Sequence, residues 1–230
     1  MVTVEKRVEV AKKRGRPPAF SREVVLDRAL NTFWRLGYDG ASVPDLTREM
    51  GITAQSLYAA FKSKEALYRE ALTYYQSGIA SFVQRTLAAD GPTVNAFEAF
   101  FNEAAHAFSL PNRPHGCMIS IGSLNCAAET QPIAQHVASL RAELLRAFEA
   151  RLYAGQKHGE FRADADIKAL SRFSAAIMQG MAVQARDGAS EAELRRIARL
   201  ALSELARHTI TRDVTPSMQE RKLNRNGPRR

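Results

Sequence analysis

The stretch from Ser42 to Leu67, SVPDLTREMGITAQSLYAAFKSKEAL, carries hydrogen-bonding side chains at a spacing suited to reading DNA. If Leu57 marks the buried side of a helix, Phe61 lies about 40° from it, whereas Gln55 and Ala59 lie about 160° away, on the outer side. A glutamine amide can pair with adenine, and an alanine methyl can contact the thymine methyl. Hydroxyl and ammonium groups suit phosphate oxygens, and six such side chains are near: Ser42, Thr53, Ser56, Tyr58, Lys62 and Lys64. The predicted chemistry is recognition of double-stranded DNA.

A basic arm precedes this stretch. Within its RGRP sequence, Arg14 and Arg16 flank Gly15, which is small enough to let the backbone approach the floor of a minor groove. Residues 1–16 hold six basic and two acidic side chains, a net charge of +4, whereas residues 17–64 hold six basic and five acidic ones, a net charge of only +1. The arm is therefore predicted to supply the phosphate attraction that the reading helix lacks. A solvated terminus without DNA contacts is the alternative.

Three other residues could serve a different chemistry: His115, Cys117 and Cys126. A thiolate beside an imidazole can act as a nucleophile or bind a soft metal. No CxxC, HExxH or glycine-flanked serine motif accompanies them, so an enzyme is not predicted, and neither a metal site nor a cofactor is assigned. A regulator that senses metal or oxidation through these residues stays open as an alternative.

The elements that must position these residues are helices. Apolar residues recur at helical spacing along nearly the whole chain, and no segment alternates as a strand does. We therefore predict an all-α fold of about nine helices, listed by their approximate positions: 21–37, 42–51, 53–61, a long fourth from 63 to the break at 90–92, then 97–108, a short one from 117, 132–152, 164–186 and 190–208. The predicted division is a basic arm (1–20), a helix-turn-helix DNA-binding domain (21–68), a helical ligand-binding and dimerisation domain (69–210) and a basic disordered tail (211–230).

Composition and charge favour a nucleic-acid partner. The chain has 230 residues and a formal net charge of +9, of which residues 214–230 contribute +4, like the arm. Positive charge concentrated in two tails indicates a polyanionic partner. Neither tail has the apolar face that would favour a membrane surface. No apolar run is long enough to span a membrane, and two cysteines make no disulfide framework. A cytoplasmic protein is predicted.

The segment ALNTFWRLGYDGASVPDLTREMGITAQSLYAAFKSKEAL closely resembles the DNA-binding part of the tetracycline-repressor (TetR) family, over residues 20–68. The family pattern LYxxFxxKExL, which closes the recognition helix, corresponds here to Leu57, Tyr58, Phe61, Lys64, Glu65 and Leu67. This chain departs from many members by carrying Ala59-Ala60 in place of Tyr-His. The resemblance implies an all-α homodimer that acts as a transcriptional regulator, a repressor released from a palindromic operator by a small molecule. An architectural DNA-binding protein that needs no ligand is the other alternative.

The resemblance also implies a ligand pocket and a dimer interface in the second half. Nine side chains are candidates for the pocket lining: Tyr75, Phe101, Phe108, Met118, Asn125, Phe148, Phe173, Met178 and Gln179. Asn125 and Gln179 are the best among them, because an amide on an apolar helix face needs a partner. The small residues Ser174, Ala175, Gly180 and Ala182 would let a helix of a second subunit approach closely, although packing within one subunit is also possible.

Overall fold

The computed structural model describes residues 21–122 and 127–210, and every regular element in these two ranges is helical. The helices are α1 (Arg22–Gly40), α2 (Val43–Met50), α3 (Ala54–Phe61), α4 (Lys64–Ser77), α5 (Phe82–Leu87), α6 (Thr93–Phe108), α7 (Met118–Ile121), α8 (Gln131–Lys157), α9 (Ile167–Arg186) and α10 (Glu191–Arg207). A short 3₁₀ turn, Ala128–Thr130, precedes α8. The all-α prediction is confirmed, with ten α-helices in the described ranges instead of about nine.

The extra helix arises because the predicted long fourth helix is two helices. Gly78 has φ −101° and ψ −95°, outside the helical region, and it ends α4 after Ser77. The next turns are irregular until Phe82 opens α5. Because Phe82 is buried, the apolar spacing continues across the break, and periodicity alone did not reveal it.

Helix α1 packs on α4 through aromatic side chains. The ring of Phe33 in α1 meets Tyr68 of α4 edge-on, with centroids 4.9 Å apart. Trp34 meets Tyr75 in the same way at 5.0 Å. All four side chains are buried. Edge-to-face pairs of this kind add specific contact energy to ordinary apolar burial, so α1 and α4 form one rigid support for α2 and α3.

A second cluster of aromatic residues joins α6 to α8. Phe100 meets Phe148 edge-on at 4.9 Å, and Phe97 lies 5.1 Å from Phe148. All three are fully buried. Helix α10 packs on α6, and α9 packs on α8, α10 and α6. The buried residues of this second half of the described chain form one continuous apolar core with those of the first half.

The small residues of α9 do not all face the same way. Ser174 and Ala182 are fully buried inside the subunit, and the Ser174 hydroxyl donates to the carbonyl of Leu170 at 2.9 Å. Gly180 is exposed, and a Cβ added there would meet no atom within 4 Å. Only Gly180 of these three is therefore open to a partner, which corrects the predicted stripe.

Candidate nucleic-acid interface and ligand cavity

The turn between α2 and α3 is fixed at both ends by capping side chains. Ser42 and Asp45 form a capping box at the start of α2. Gly51 ends α2 in the left-handed conformation, with φ 69°, which favours glycine. Thr53 then caps α3, since its hydroxyl accepts a hydrogen bond from the Ser56 amide at 3.1 Å. These local signals set the angle between the two helices, as a helix-turn-helix requires.

The outer face of α3 presents the predicted reading residues. Leu57 and Phe61 are buried, while Gln55, Tyr58 and Ala59 are exposed, Tyr58 by 46%. The side-chain hydrogen bonds at the start of α3 join Thr53 to Ser56 and do not involve the side-chain amide of Gln55. This face is therefore free to enter a groove, with an amide, a phenol and a methyl group pointing outward.

Arg22, which the sequence did not single out, holds the end of α3. Its Nη1 donates to the carbonyl of Ala60 at 2.9 Å, and its Nη2 pairs with Glu70 of α4 at 2.7 Å. The guanidinium also lies over the Phe61 ring, 4.3 Å from its centroid. One side chain thus ties α1, α3 and α4 together. It positions α3 and is exposed by about half, so no sequence signal separates it from an ordinary surface arginine.

The two lysines after α3 differ in their surroundings. Lys62 is exposed, with φ 72°, and closes α3. Lys64 is half-buried, its ammonium 4.4 Å from the centroid of the Tyr38 ring, and burial lowers its pKa from the ordinary value. Of the predicted phosphate contacts, Lys62 is the more accessible cation. Arg14 and Arg16 lie outside the described residues.

A cavity of 180 Å³ lies between α4, α5, α6, α7, α8 and α9. It is lined by four of the predicted residues: Tyr75, Phe108, Met178 and Gln179. Phe101, Met118 and Phe148 are instead packed in the core, and Phe173 is half-buried on α9 outside the lining. Asn125 lies outside the described residues. The sequence missed other lining residues, chiefly Phe100, Ser120, Leu140, Arg141, Glu143 and Leu144.

The polar groups of the cavity are few. Tyr75 is fully buried beside Cys117, and burial, followed by the influence of this thiol, raises the pKa of Tyr75 well above its ordinary value. The Ser120 hydroxyl donates to the Met178 sulfur at 3.4 Å. Arg141 donates from Nη1 to the carbonyls of Ile119 and Gly122. An apolar cavity with a few convergent polar groups is the usual form of a small-molecule site.

Two arginines connect the cavity side of the molecule to α1. Arg113, in the loop after α6, pairs with Asp27 at 2.7 Å and donates to Asn31 at 3.1 Å. Arg186, at the end of α9, donates to the carbonyls of Trp34 and Arg35. These two arginines link the helices around the cavity to α1. Helix α4 provides a further connection, because it carries Tyr75 of the cavity wall and begins three residues after α3 ends.

The two described candidates, His115 and Cys117, lie in different surroundings. His115 is exposed, whereas Cys117 is buried against Tyr75, and Cys126 lies outside the described residues. Within the described ranges no three histidine, cysteine or carboxylate side chains group as metal ligands. No helix in those ranges is both long and apolar enough to cross a bilayer.

A capped helix-turn-helix joined to a helical bundle defines the class of DNA-binding transcriptional regulators. The chain belongs to the TetR family. Residues 25–71 match the model described as bacterial regulatory proteins, tetR family, and residues 94–201 match the tetracyclin repressor-like C-terminal domain. The family predicted from residues 20–68 is thus confirmed, and the match extends well into the second half.

Relatives and solved structures agree with this assignment. The HTH-type transcriptional repressor ComR of Escherichia coli is 34% identical over 82% of this chain and 90% of its own length. DhaR of a Mycobacterium species, also an HTH-type transcriptional repressor, is 30% identical over 69% of this chain and 79% of its own length. A cysteine-substituted form of the regulator CifR, solved with 26-bp double-stranded operator DNA, superposes with a TM-score of 0.78 at 34% identity, covering 82% of this chain and 98% of that one.

Proposed function

We propose that the protein is a transcriptional repressor that binds a palindromic operator as a homodimer and leaves it when a small molecule occupies the cavity. The observation that carries this proposal is the outer face of α3, where Gln55, Tyr58 and Ala59 stand exposed on a helix capped at its start and clamped at its end. Relatives described as repressors and a similar regulator bound to operator DNA support it. Because such a protein acts on DNA, we place it in the cytoplasm.

Base reading is assigned to Gln55 and Ala59, and phosphate contact to the hydroxyl and ammonium groups around them. The Thr53 and Ser56 hydroxyls bond to each other at 3.0 Å at the start of α3, where the helix dipole also favours a phosphate. Lys62 adds an exposed cation at the far end. The basic arm, through Arg14 and Arg16, is proposed to follow the adjacent minor groove.

The dimer is proposed to form through α9 and α10. Their outer surfaces carry two of the large apolar side chains that stand exposed in the described chain, Val183 by 45% and Leu200 by 75%. Gly180 lies three residues before Val183, so both are on the same face of α9. Exposed apolar side chains beside an open glycine fit a helix of a second subunit, and two subunits place two recognition helices on successive turns of DNA.

Release is proposed to run through α4 and the two arginine links. A ligand that moves Tyr75 shifts α4, whose first turn follows α3 directly. Movement of the Arg113 loop or of the end of α9 shifts α1, which holds α3 through Arg22. A ligand that binds the released form about 100-fold better than the DNA-bound form shifts the equilibrium between them by roughly 2.7 kcal/mol.

The test is genome-wide DNA capture with the purified protein, followed by footprinting of the recovered sites. The expected result is a discrete palindrome with half-site centres about 34 Å apart, protected by a dimer. Protection without any shared sequence would favour an architectural DNA-binding protein. A redox-sensing regulator would be favoured if mild thiol oxidation abolished DNA binding, if a reductant restored that binding, and if the Cys117→Ser variant kept it under oxidation.

A further inference from the structure

The cavity wall contains one guanidinium, that of Arg141, which uses only part of its hydrogen-bonding capacity within the described ranges. Arginine has five N–H donors. The two on Nη1 of Arg141 reach the carbonyls of Ile119 at 3.1 Å and Gly122 at 3.2 Å. Its Nε and Nη2 groups have no partner among the residues that the structure describes, and they account for the other three donors. These two carbonyl bonds hold the guanidinium in place at the cavity wall.

This cation has no counter-ion among the described residues. No described carboxylate lies within ion-pair distance of Arg141, whereas Arg22, Arg85 and Arg162, which are exposed to water, do form ion pairs. The neighbouring ionisable groups are Tyr68 and Cys117, which are ordinarily neutral. Burial lowers the pKa of Arg141 from its ordinary value, as expected where a charge has lost water without gaining an anion. A half-buried, fixed, unpaired cation is costly unless something else neutralises it.

One carboxylate, Glu143, also lines the cavity, and it must be weighed against Arg141. Glu143 is exposed, and His136 is among the groups that feel its charge. Its charge is therefore screened by water, while that of Arg141 is not screened to the same extent. The rest of the wall is mostly apolar, with Phe100, Leu140 and Leu144 among its residues.

We propose that the effector is a small amphipathic acid, with a carboxylate that pairs with Arg141 and an apolar body held among the aromatic and leucine side chains. This inference rests on the proposed function, because it names the class of ligand for the same cavity. A planar guanidinium fork suits a carboxylate better than any neutral group. The cavity volume of 180 Å³ suits a ligand with a short chain or a single ring.

The experiment compares three probes of equal chain length on the full-length protein: hexanoate, hexan-1-ol and hexylamine. Calorimetric titration should give hexanoate the highest affinity, about 10- to 100-fold above hexan-1-ol, because a charge-assisted hydrogen bond contributes about 1.5–3 kcal/mol. Equal binding of hexanoate and hexan-1-ol would overturn the proposal. So would preference for hexylamine, which would assign the site to Glu143, or failure of all three to bind at about 10 mM.

Variants on α8 then locate the effect. Arg141→Met keeps the length of the side chain and removes its charge, so it should abolish the advantage of hexanoate and leave hexan-1-ol unchanged. Arg146→Met, an exposed arginine on the same helix that does not line the cavity, is the matched control and should change neither. An equal loss in both variants would overturn the assignment. If Arg141→Met does not fold, the three-probe comparison on the wild-type protein decides by itself.

A second measurement separates this inference from the proposed function. It is the binding of the protein to the captured operator, measured by fluorescence anisotropy in the absence of hexanoate, hexan-1-ol and hexylamine. Operator binding without selectivity for hexanoate would refute the ligand class alone. Selectivity for hexanoate that depends on Arg141, in a protein that binds no discrete DNA site, would refute the repressor and leave the carboxylate site standing.

Discussion

The proposed dimer interface gives a sharp prediction at Leu200, which is 75% exposed at the centre of α10. Full burial of a leucine side chain that was exposed to water contributes about 1.5–3 kcal/mol to the free energy of association. With three quarters of the side chain still to be covered, Leu200→Ala should cost about 1–2 kcal/mol per subunit. A two-fold interface contains the residue twice, so the dimer should lose about 2–4 kcal/mol.

This loss corresponds to a rise of about 30- to 900-fold in the dimer dissociation constant. Sedimentation velocity over a dilution series measures that constant directly. The matched control is Tyr153→Ala, because Tyr153 is also an exposed apolar side chain, at 38%, but lies on α8. The control should dissociate like the wild-type protein.

A second variant, Gly180→Phe, tests the same surface by addition. Because a Cβ at Gly180 meets open space within the subunit, the monomer should fold normally and only association should suffer. If Leu200→Ala dissociates no more readily than Tyr153→Ala, and Gly180→Phe stays dimeric, then α9 and α10 do not form the interface and the reasoning from exposed apolar surface fails.

Three further predictions concern DNA reading, the arm and the link to α1. Gln55→Ala should cost about 1–3 kcal/mol on the matched operator and relax preference at one base pair per half-site, as measured by anisotropy; equal losses on matched and mismatched operators would show that it reads no base. Deleting residues 1–16 should make the slope of log affinity against log salt less steep by roughly five units, if half of the twelve basic arm residues per dimer contact phosphate. An unchanged slope would show that the arm is a solvated terminus. Arg113→Met should lower the free energy of unfolding, measured by chemical denaturation, by about 1 kcal/mol, because the side chains of its ion pair with Asp27 are only 28–29% exposed. Arg162→Met, which removes a more exposed ion pair, is the control and should have almost no effect. Equal effects of the two variants would contradict a structural link through Arg113.

The helix-turn-helix was predictable because its determinants are local. Ser42, Gly51 and Thr53 mark the ends of two short helices within a dozen residues, through side-chain caps and one left-handed turn. The apolar spacing of Leu57 and Phe61 then fixes which side of α3 is buried, and with it that Gln55 faces outward. Each of these signals acts between residues less than five positions apart, so the sequence contains them complete.

The break after α4 shows where periodicity stops being informative. One long helix, and two helices separated by an irregular turn, can place their buried residues at the same spacing, as Tyr75 of α4 and Phe82 of α5 do here. The conformation of Gly78 decides between them, and a glycine within an apolar pattern does not reveal which conformation it will take.

The cavity was decided by tertiary packing alone. Phe101 and Phe108, or Met118 and Met178, are the same residue types on similar apolar faces, yet only Phe108 and Met178 border the cavity. Arg141 on α8 reads in sequence as one more solvated cation of an amphipathic helix, and it becomes a wall residue only because α7 packs against α8 and offers it two carbonyls. Which side of a buried helix meets a neighbour and which meets a void depends on helices distant in the chain. The sequence by itself therefore determined the elements and the outward face of α3, whereas the arrangement of those elements determined where a ligand could bind.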